Sequence, residues 1–252
     1  PDAALKGKKL FLHFEAIMGK SKIYVNGKLL AEHFGGYLPV VVDVTDALEF
    51  GKENLIAVWA DNSNDPNYPP GKQQEVLDFT YFGGIYRDCW LIAHNQVFIT
   101  DPNYENEEAG GGLFVAYNNV SDHSAEVLLK IQIRNSGKKA FKGVVEYELQ
   151  QPDGQQVASL NSVIRIKPGK STYSSDKLTV KSPMLWSPEN PALYILIVRI
   201  RDEKGNPIDG YRRRIGIRSI ELKGEDGFWL NGKPYEAPLI GANRHQDLSL
   251  IH

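Results

Sequence analysis

The sequence has little of several features that would assign it to a specific class of protein. Its single cysteine, Cys89, excludes an internal disulfide and any zinc site built from cysteines. No apolar run approaches the ~20 residues that span a bilayer, and no basic-then-apolar signal segment opens the chain. Positive charge is not in excess, because 29 Lys and Arg residues stand against 31 Asp and Glu residues. The chain therefore lacks the clustered cations that bind nucleic acid, and we expect neither nucleic acid nor a membrane as a partner.

Helical periodicity is also missing. No stretch keeps an i, i+3, i+4, i+7 apolar face over the ~10 residues of an ordinary globular helix. Short β-rich runs are instead separated by turns, for which 23 Gly and 14 Pro residues are available. Asn26-Gly27 and Asn231-Gly232 each predict a tight hairpin, because both residue types accept the positive φ of a type I′ turn. The sequence thus predicts an all-β protein, with one helical turn near 45–48 capped by Asp43 or Thr45.

The spacing of the strands indicates two β units. The first ends near 91–95, and a polar, Gly-rich passage over 103–112 is expected to form a loop at the start of the second. The second unit runs as short strands from 113 to about 222, which is typical of an immunoglobulin-like sandwich. The residues after 224 are too few for a domain, and the chain opens on Pro1 rather than Met. We therefore expect a piece of a longer protein.

Three segments, in this order and spacing, resemble glycoside hydrolase family 2, which contains β-galactosidases and β-glucuronidases. They are VTDALEFGKENLIAV (44–58), DFTYFGGIYRD (78–88) and FWLNGKP (228–234) leading into GANRH (241–245). The resemblance covers essentially the whole chain. It implies a jelly-roll sugar-binding domain over 1–98 that lacks its first strands, and an immunoglobulin-like β-sandwich over 99–222. The beginning of a truncated catalytic (β/α)8 TIM barrel would follow over 223–252.

The resemblance also implies what the parent protein does. It would hydrolyse terminal β-galactosides with retention, using two carboxylates ~5–5.5 Å apart. In the family both carboxylates come from later barrel strands, so we expect this stretch to hold no catalytic residue and to be inactive alone. β-Glucuronidase and β-mannosidase stay open as alternatives within the family. Outside it, the alternative is a carbohydrate-binding or purely structural β module.

The remaining partners follow from the same resemblance. A β-galactoside is the expected ligand, no cofactor is expected in this stretch, and Mg²⁺ or Na⁺ is implied for the parent protein. A jelly roll without its first strands would expose a sheet edge, and such edges pair with other chains. We therefore expect a homo-oligomer formed through that edge.

Five residues are predicted to bind substrate: Asp78, His245, Asp247, Asp61 and Asn62. Asp78 matches the position from which β-galactosidases of this family reach into the galactose pocket, where a carboxylate accepts sugar hydroxyls. His245 and Asp247 follow the first barrel strand, and barrel active sites lie at the C-terminal ends of strands. Asp61 and Asn62 belong to a polar loop of the kind that lines carbohydrate sites. The alternatives are a turn or capping role for Asp78 and Asx turns in the loop.

Other residues in the resembling segments have two interpretations. Gly83-Gly84 predicts a bulge or a close approach of backbone. Arg87 is expected to pair with a carboxylate or a backbone oxygen. Four aromatic residues are candidates for stacking on sugar rings, although aromatic residues in a sandwich more often fill its core, which is the expectation here: Tyr37, Trp59, Tyr81 and Phe82.

Overall fold

The structure, a computed structural model, describes residues 1–69, 71–77, 79, 82–108 and 110–235. Nearly all regular structure in these residues is β, so the predicted all-β class is confirmed. The chain divides into two compact units. Of the described residues, the first contains Pro1–Gln96 and Asp101–Glu107, and the second contains Val97–Thr100 and the residues from Glu108 to Tyr235. No helix of the described residues is long and apolar enough to cross a membrane.

The strands of the first unit pair in three small antiparallel sheets. They are β1 (Lys9–Phe14), β2 (Ile17–Met18), β3 (Lys20–Val25), β4 (Lys28–Phe34), β5 (Val40–Asp43), β6 (Ile56–Asp61), β7 (Gly84–Ile85) and β8 (Cys89–His94). One sheet has the order β5-β1-β8, another has the order β4-β3-β6, and β2 pairs with β7. Short 3-10 turns cover Ala3–Leu5 and Gln74–Val76, and helix α1 covers Pro102–Glu105.

Alternate residues of β1, β3 and β5 form the core of the first unit, because successive side chains of a strand point to opposite faces. Seven of these core residues are Leu10, Leu12, Phe14, Ile23, Val25, Val40 and Val42. The outer strands β6 and β8 are covered less well. Ile56 is paired with buried Val25 and Leu91 with buried Leu12, yet they are 43% and 45% exposed. The described residues therefore leave the core open along these two strands.

The predicted turns of the first unit are confirmed. Asn26 and Gly27 have φ values of 50° and 80° and connect the paired residues Val25 and Lys28. At the predicted helical turn, the Leu48 N–H donates to the Val44 carbonyl at 3.2 Å. The second Asn-Gly hairpin, which lies in the second unit, is also confirmed, with φ values of 52° and 73° at residues 231 and 232.

The second unit is a sandwich of two larger sheets with a small third one. Its strands are β9 (Val97–Ile99), β10 (Leu113–Asn118), β11 (Ser124–Asn135), β12 (Phe141–Gln150), β13 (Gln156–Ile166), β14 (Lys170–Lys181), β15 (Tyr194–Asp202), β16 (Pro207–Ile215), β17 (Ile220–Leu222), β18 (Phe228–Leu230) and β19 (Lys233–Pro234). One large sheet has the order β10-β11-β14, and β9 also pairs with β11. The other large sheet has the order β13-β12-β15-β16, and the small sheet has the order β17-β18-β19. Inward side chains of β11, β12 and β15, among them Leu129, Val145 and Leu196, are at most 2% exposed. This is the immunoglobulin-like arrangement that the sequence predicts.

The prediction of a loop over 103–112 is wrong for its first residues, because α1 forms a helical turn there. The Asp101 carboxylate accepts the N–H groups of Asn103 and Tyr104 at 2.8 and 3.1 Å, and Pro102 occupies the first turn. An acidic N-cap followed by proline favours a helix start, because the cap satisfies free N–H groups and proline presets φ. Tyr104 then packs edge-on against Phe11, with ring centroids 5.0 Å apart.

Candidate functional site

The candidate site lies where β6 ends and the chain enters the polar segment 61–69. Pairing of β3 with β6 places Asp61 opposite Lys20. Gly19, just before β3, lies against the backbone of this turn. A Cβ on Gly19 would lie 2.0 Å from the Asp61 carbonyl oxygen and 2.8 Å from the Asn62 Cα, and its φ is 96°. Only glycine fits there, so the start of β3 fixes the positions of Asp61 and Asn62.

Asp61 forms the Asx turn that the sequence offers as the alternative, and its binding role stays a prediction. Its carboxylate accepts the Ser63 N–H at 2.9 Å. Hydrogen bonds from Ser63 lower the pKa of Asp61, and the positive charge of Lys20 lowers it further. The carboxylate is therefore ionised at neutral pH, when it accepts hydrogen bonds and has no proton to donate.

Asn62 lies beside Asp61 with its side chain exposed. A Cβ on Gly83 would lie 2.8 Å from the Asn62 Cγ, so the Asn62 side chain lies against the Gly83 backbone, whereas a Cβ on Gly84 would meet nothing within 4 Å. The described residues offer no hydrogen-bond partner to the Asn62 amide. An amide has two donors and an acceptor oxygen, so this side chain is free to bind the hydroxyl groups of a ligand.

Sequence reasoning missed Lys20, Asp65 and Tyr68. The Lys20 Nζ is 2.7 Å from the Asp65 Oδ2 and 5.8 Å from the centre of the Tyr68 ring. The hydrogen bond from Lys20 lowers the pKa of Asp65, and the same bond raises the pKa of Lys20. Both groups are thus charged, and their ion pair ties the polar segment to β3. Asp65 precedes a proline, which is a turn signal, but its partner follows only from strand pairing.

The core expectation is wrong for Trp59 and Phe82, which are 47% and 72% exposed. Trp59 is paired with Lys22, and the neighbouring Ile23 faces the core, so Trp59 lies on the outer face of its sheet. Tyr37 is half-buried. Tyr81 lies outside the described residues.

The pairing expected for Arg87 is also wrong, as far as the described residues show. Its guanidinium group lies over the Tyr86 ring at 5.2 Å. The Tyr86 hydroxyl in turn donates to the Gly36 carbonyl at 2.5 Å. In the described residues the Arg87 guanidinium therefore makes a cation–π contact instead of the predicted hydrogen bonds to a carboxylate or a backbone oxygen.

Asp78, His245 and Asp247 lie outside the described residues, and their binding roles stay predictions. The barrel start predicted over 223–252 also stays a prediction, because its residues from 236 onward lie outside the described residues. Among the described residues, no three His, Cys, Asp or Glu side chains come together as metal ligands would. Asp61 and Asp65 both have lowered pKa values, so neither suits a general acid at neutral pH. The described part of the site is suited to binding hydroxyl groups.

Comparisons with known proteins agree with this chemistry. The family model described as glycosyl hydrolases family 2, sugar binding domain, matches residues 1–95, and that of glycosyl hydrolases family 2 matches residues 112–218. A β-galactosidase of Thermoanaerobacter pseudethanolicus is 32% identical over 99% of this chain and 31% of its own length. A β-glucuronidase of Bacteroides fragilis is 31% identical over 96% of this chain and 33% of its own length.

Solved structures give the same result. The crystal structure of a Bacteroides uniformis β-glucuronidase matches with a TM-score of 0.82 and 31% identity, over 92% of this chain and 27% of that one. A family 2 member from Bacteroides cellulosilyticus matches with a TM-score of 0.79. The chain spans about a third of the length of the two curated relatives named above.

Proposed function

Because the chain belongs to glycosyl hydrolase family 2, we propose that it is the sugar-binding, non-catalytic part of a retaining β-galactosidase. The observation that carries the proposal is the order of the two matched domains, the sugar-binding domain over 1–95 and the second domain over 112–218. The complete protein would cleave terminal β-galactosides with two carboxylates ~5–5.5 Å apart, supplied by residues beyond this chain.

The end of β6 is the part of the chain that would contact the sugar. Asp61 would accept hydroxyl groups through its ionised carboxylate, and Asn62 would bind them through its amide, which has no hydrogen-bond partner among the described residues. Asp78 would act with them as a further acceptor. Since none of these groups transfers a proton in this proposal, they contribute to substrate binding and leave the chemistry to the catalytic carboxylates.

A β-glucuronidase is the second candidate, because the Bacteroides fragilis β-glucuronidase is as similar to this chain as the β-galactosidase is. The charges at the site support the neutral sugar. Asp61 and Asp65 are both ionised, whereas Lys20 is held by Asp65, which leaves one net negative charge. A uronic acid placed beside that charge would be repelled, and like charges brought together at a binding site disfavour the complex.

Steady-state kinetics of the full-length protein test the proposal. We expect kcat/KM for 4-nitrophenyl β-galactoside to exceed that for 4-nitrophenyl β-glucuronide by at least about tenfold. The reverse order would overturn the choice of sugar, and hydrolysis of neither would overturn the proposal. Asp78→Ala should lower kcat/KM for the preferred substrate by about one to two decades, the loss expected for a hydrogen bond to a charged group. Exposed Asp46→Ala is the control.

A further inference from the structure

The outer face of the sheet β4-β3-β6 presents aromatic rings to solvent. Ser21, Ile23 and Val25 of β3 are buried, so the alternate residues Lys20, Lys22 and Tyr24 face outward together with their cross-strand partners. Trp59 lies opposite Lys22, and Phe34, which is 60% exposed, lies opposite Lys20. We call this surface the outer aromatic face; it consists of Lys20, Lys22, Tyr24, Glu32, Phe34 and Trp59.

Neither exposed ring stacks on another ring of the described residues. Within the described part of the chain, the one ring contact of Trp59 is with the Lys22 Nζ, 5.9 Å from the ring centre, and Phe34 has none. Large aromatic side chains left in solvent forgo the burial that normally places them in a core. Such residues mark binding surfaces when they are grouped.

The polar groups of the face are already paired with each other. The Lys22 Nζ is 2.8 Å from the Glu32 Oε1, and Lys20 is held by Asp65. The middle of the face therefore carries a donor and an acceptor but no net charge, which suits an uncharged ligand. Lys and Glu are depleted from the centres of protein interfaces, so the Lys22–Glu32 pair disfavours a protein partner.

The spacing of the rings suits a chain of sugars. Phe34 and Trp59 stand two strands apart and are displaced by two residues along the strand direction. Standard sheet spacings place them about 12 Å apart, roughly the length of a disaccharide unit. The C–H face of a pyranose stacks on an aromatic ring, and its hydroxyl groups point sideways, here towards Lys22 and Glu32.

We propose that the outer aromatic face binds a neutral, β-linked oligosaccharide chain, with one sugar on Trp59 and another on Phe34. The face lies within residues 1–95, which match a sugar-binding domain. Asp61, opposite Lys20, lies in the same cross-strand row as Phe34 and Lys20, so the candidate site adjoins the outer aromatic face.

Affinity electrophoresis of the 252-residue chain tests the proposal. Native gels contain soluble β-1,4-galactan or hydroxyethylcellulose as neutral β-linked probes, and polygalacturonate as an acidic one. Migration should be retarded by a neutral probe and not by polygalacturonate. Trp59→Ala and Phe34→Ala should each weaken the affinity about three- to tenfold, and Trp59→Phe should retain most of it. Phe114→Ala, which removes a 56% exposed ring from the second unit, is the matched control.

Three results would overturn the proposal. One is a wild-type chain that neither neutral probe retards. Another is an equal affinity for wild type and Trp59→Ala, with both shown to be folded by circular dichroism. The third is a dimer, measured by sedimentation, that Trp59→Ala dissociates, since the face would then belong to a second copy of the chain. Because the gels measure binding and no hydrolysis, each of these results leaves the proposed galactosidase activity untouched.

Discussion

Asp61 has two tasks that can be separated at the scale of a single residue. Its carboxylate closes a turn with the Ser63 N–H, and its charge would bind a sugar hydroxyl. An asparagine at the same position keeps the oxygen that closes the turn and loses only the charge. The substitution therefore distinguishes a turn residue from a binding residue.

We expect Asp61→Asn in the full-length protein to lower kcat/KM for the galactoside about tenfold, because a charged acceptor binds a hydroxyl more tightly than a neutral one. The melting temperature should change little. The control is Asp153→Asn, since Asp153 closes a similar exposed turn with the Gln155 N–H in the second unit. An unchanged kcat/KM for Asp61→Asn would show that Asp61 is only a turn residue.

Asp43 makes the stability of the first unit depend on pH. Burial raises the pKa of Asp43, but hydrogen bonds from Lys9 and Thr45 outweigh it, so the pKa is lowered overall. A carboxyl group with a lowered pKa in the folded state stabilises the protein above its unfolded pKa of about 3.9. That stabilisation is lost as the pH falls through the folded value.

Thermal unfolding followed from pH 7 to pH 2 measures this contribution. Asp43→Asn should unfold at a lower temperature than wild type at neutral pH, and the gap should close as the pH falls below about 4. Asp46→Asn, an exposed aspartate on the same turn, should follow wild type throughout. A gap that stays constant across the pH range would contradict an ionic contribution from Asp43.

Single residues also show where sequence reasoning ends. Asp61 and Asn62 can be recognised from the sequence as residues of a polar loop, because they directly follow a β-rich run. The Lys20–Asp65 pair is not, since it depends on which strands become neighbours. The alternation of side chains along a strand places Trp59 on one face of its sheet. It does not show which of the two faces is covered by another sheet. That is why the core expectation failed for Trp59.

At the scale of elements, local chemistry was sufficient for the turns. Both Asn-Gly hairpins form as predicted, because positive φ at two adjacent positions is a property of those residues alone. Helix α1 was missed although Asp101 and Pro102 carry a helix-start signal, since one turn is too short to show periodicity. Which strands pair with each other could not be predicted, because no local sequence pattern specifies the partner of a strand.

Substitution of Gly19 tests the close contact between the start of β3 and the end of β6, where the candidate site lies. Alanine at Gly19 would place a Cβ 2.0 Å from the Asp61 carbonyl, whereas alanine at Gly27 would meet nothing within 4 Å. Both glycines have positive φ, so both substitutions should cost about 1–2 kcal/mol in backbone strain. Gly19→Ala should cost about 1–3 kcal/mol more, from crowding. Urea unfolding measures both, and equal losses would contradict the close contact at Gly19.

At the scale of the whole molecule, the chain forms two units with separate cores. The sequence indicates two units because clusters of turn residues separate two sets of strands. It does not indicate that residues 101–107 pack with the first unit, since packing partners leave no local signal. The exposed inward-facing Ile56 and Leu91 mark two strands, β6 and β8, along which the described residues leave the first core poorly covered. Self-association through an exposed sheet edge of the first unit stays a prediction.

We propose that the 252 residues bind sugar, and that the catalytic carboxylates of the full-length protein carry out the hydrolysis. Release of nitrophenol from 4-nitrophenyl β-galactoside, compared at equal molar concentrations of the 252-residue chain and the full-length protein, tests it most directly. We expect turnover by the full-length protein and no release above the uncatalysed rate by the folded 252-residue chain. Turnover by the 252-residue chain that is abolished by substituting one of its own carboxylates, such as Asp61 or Asp65, would contradict it.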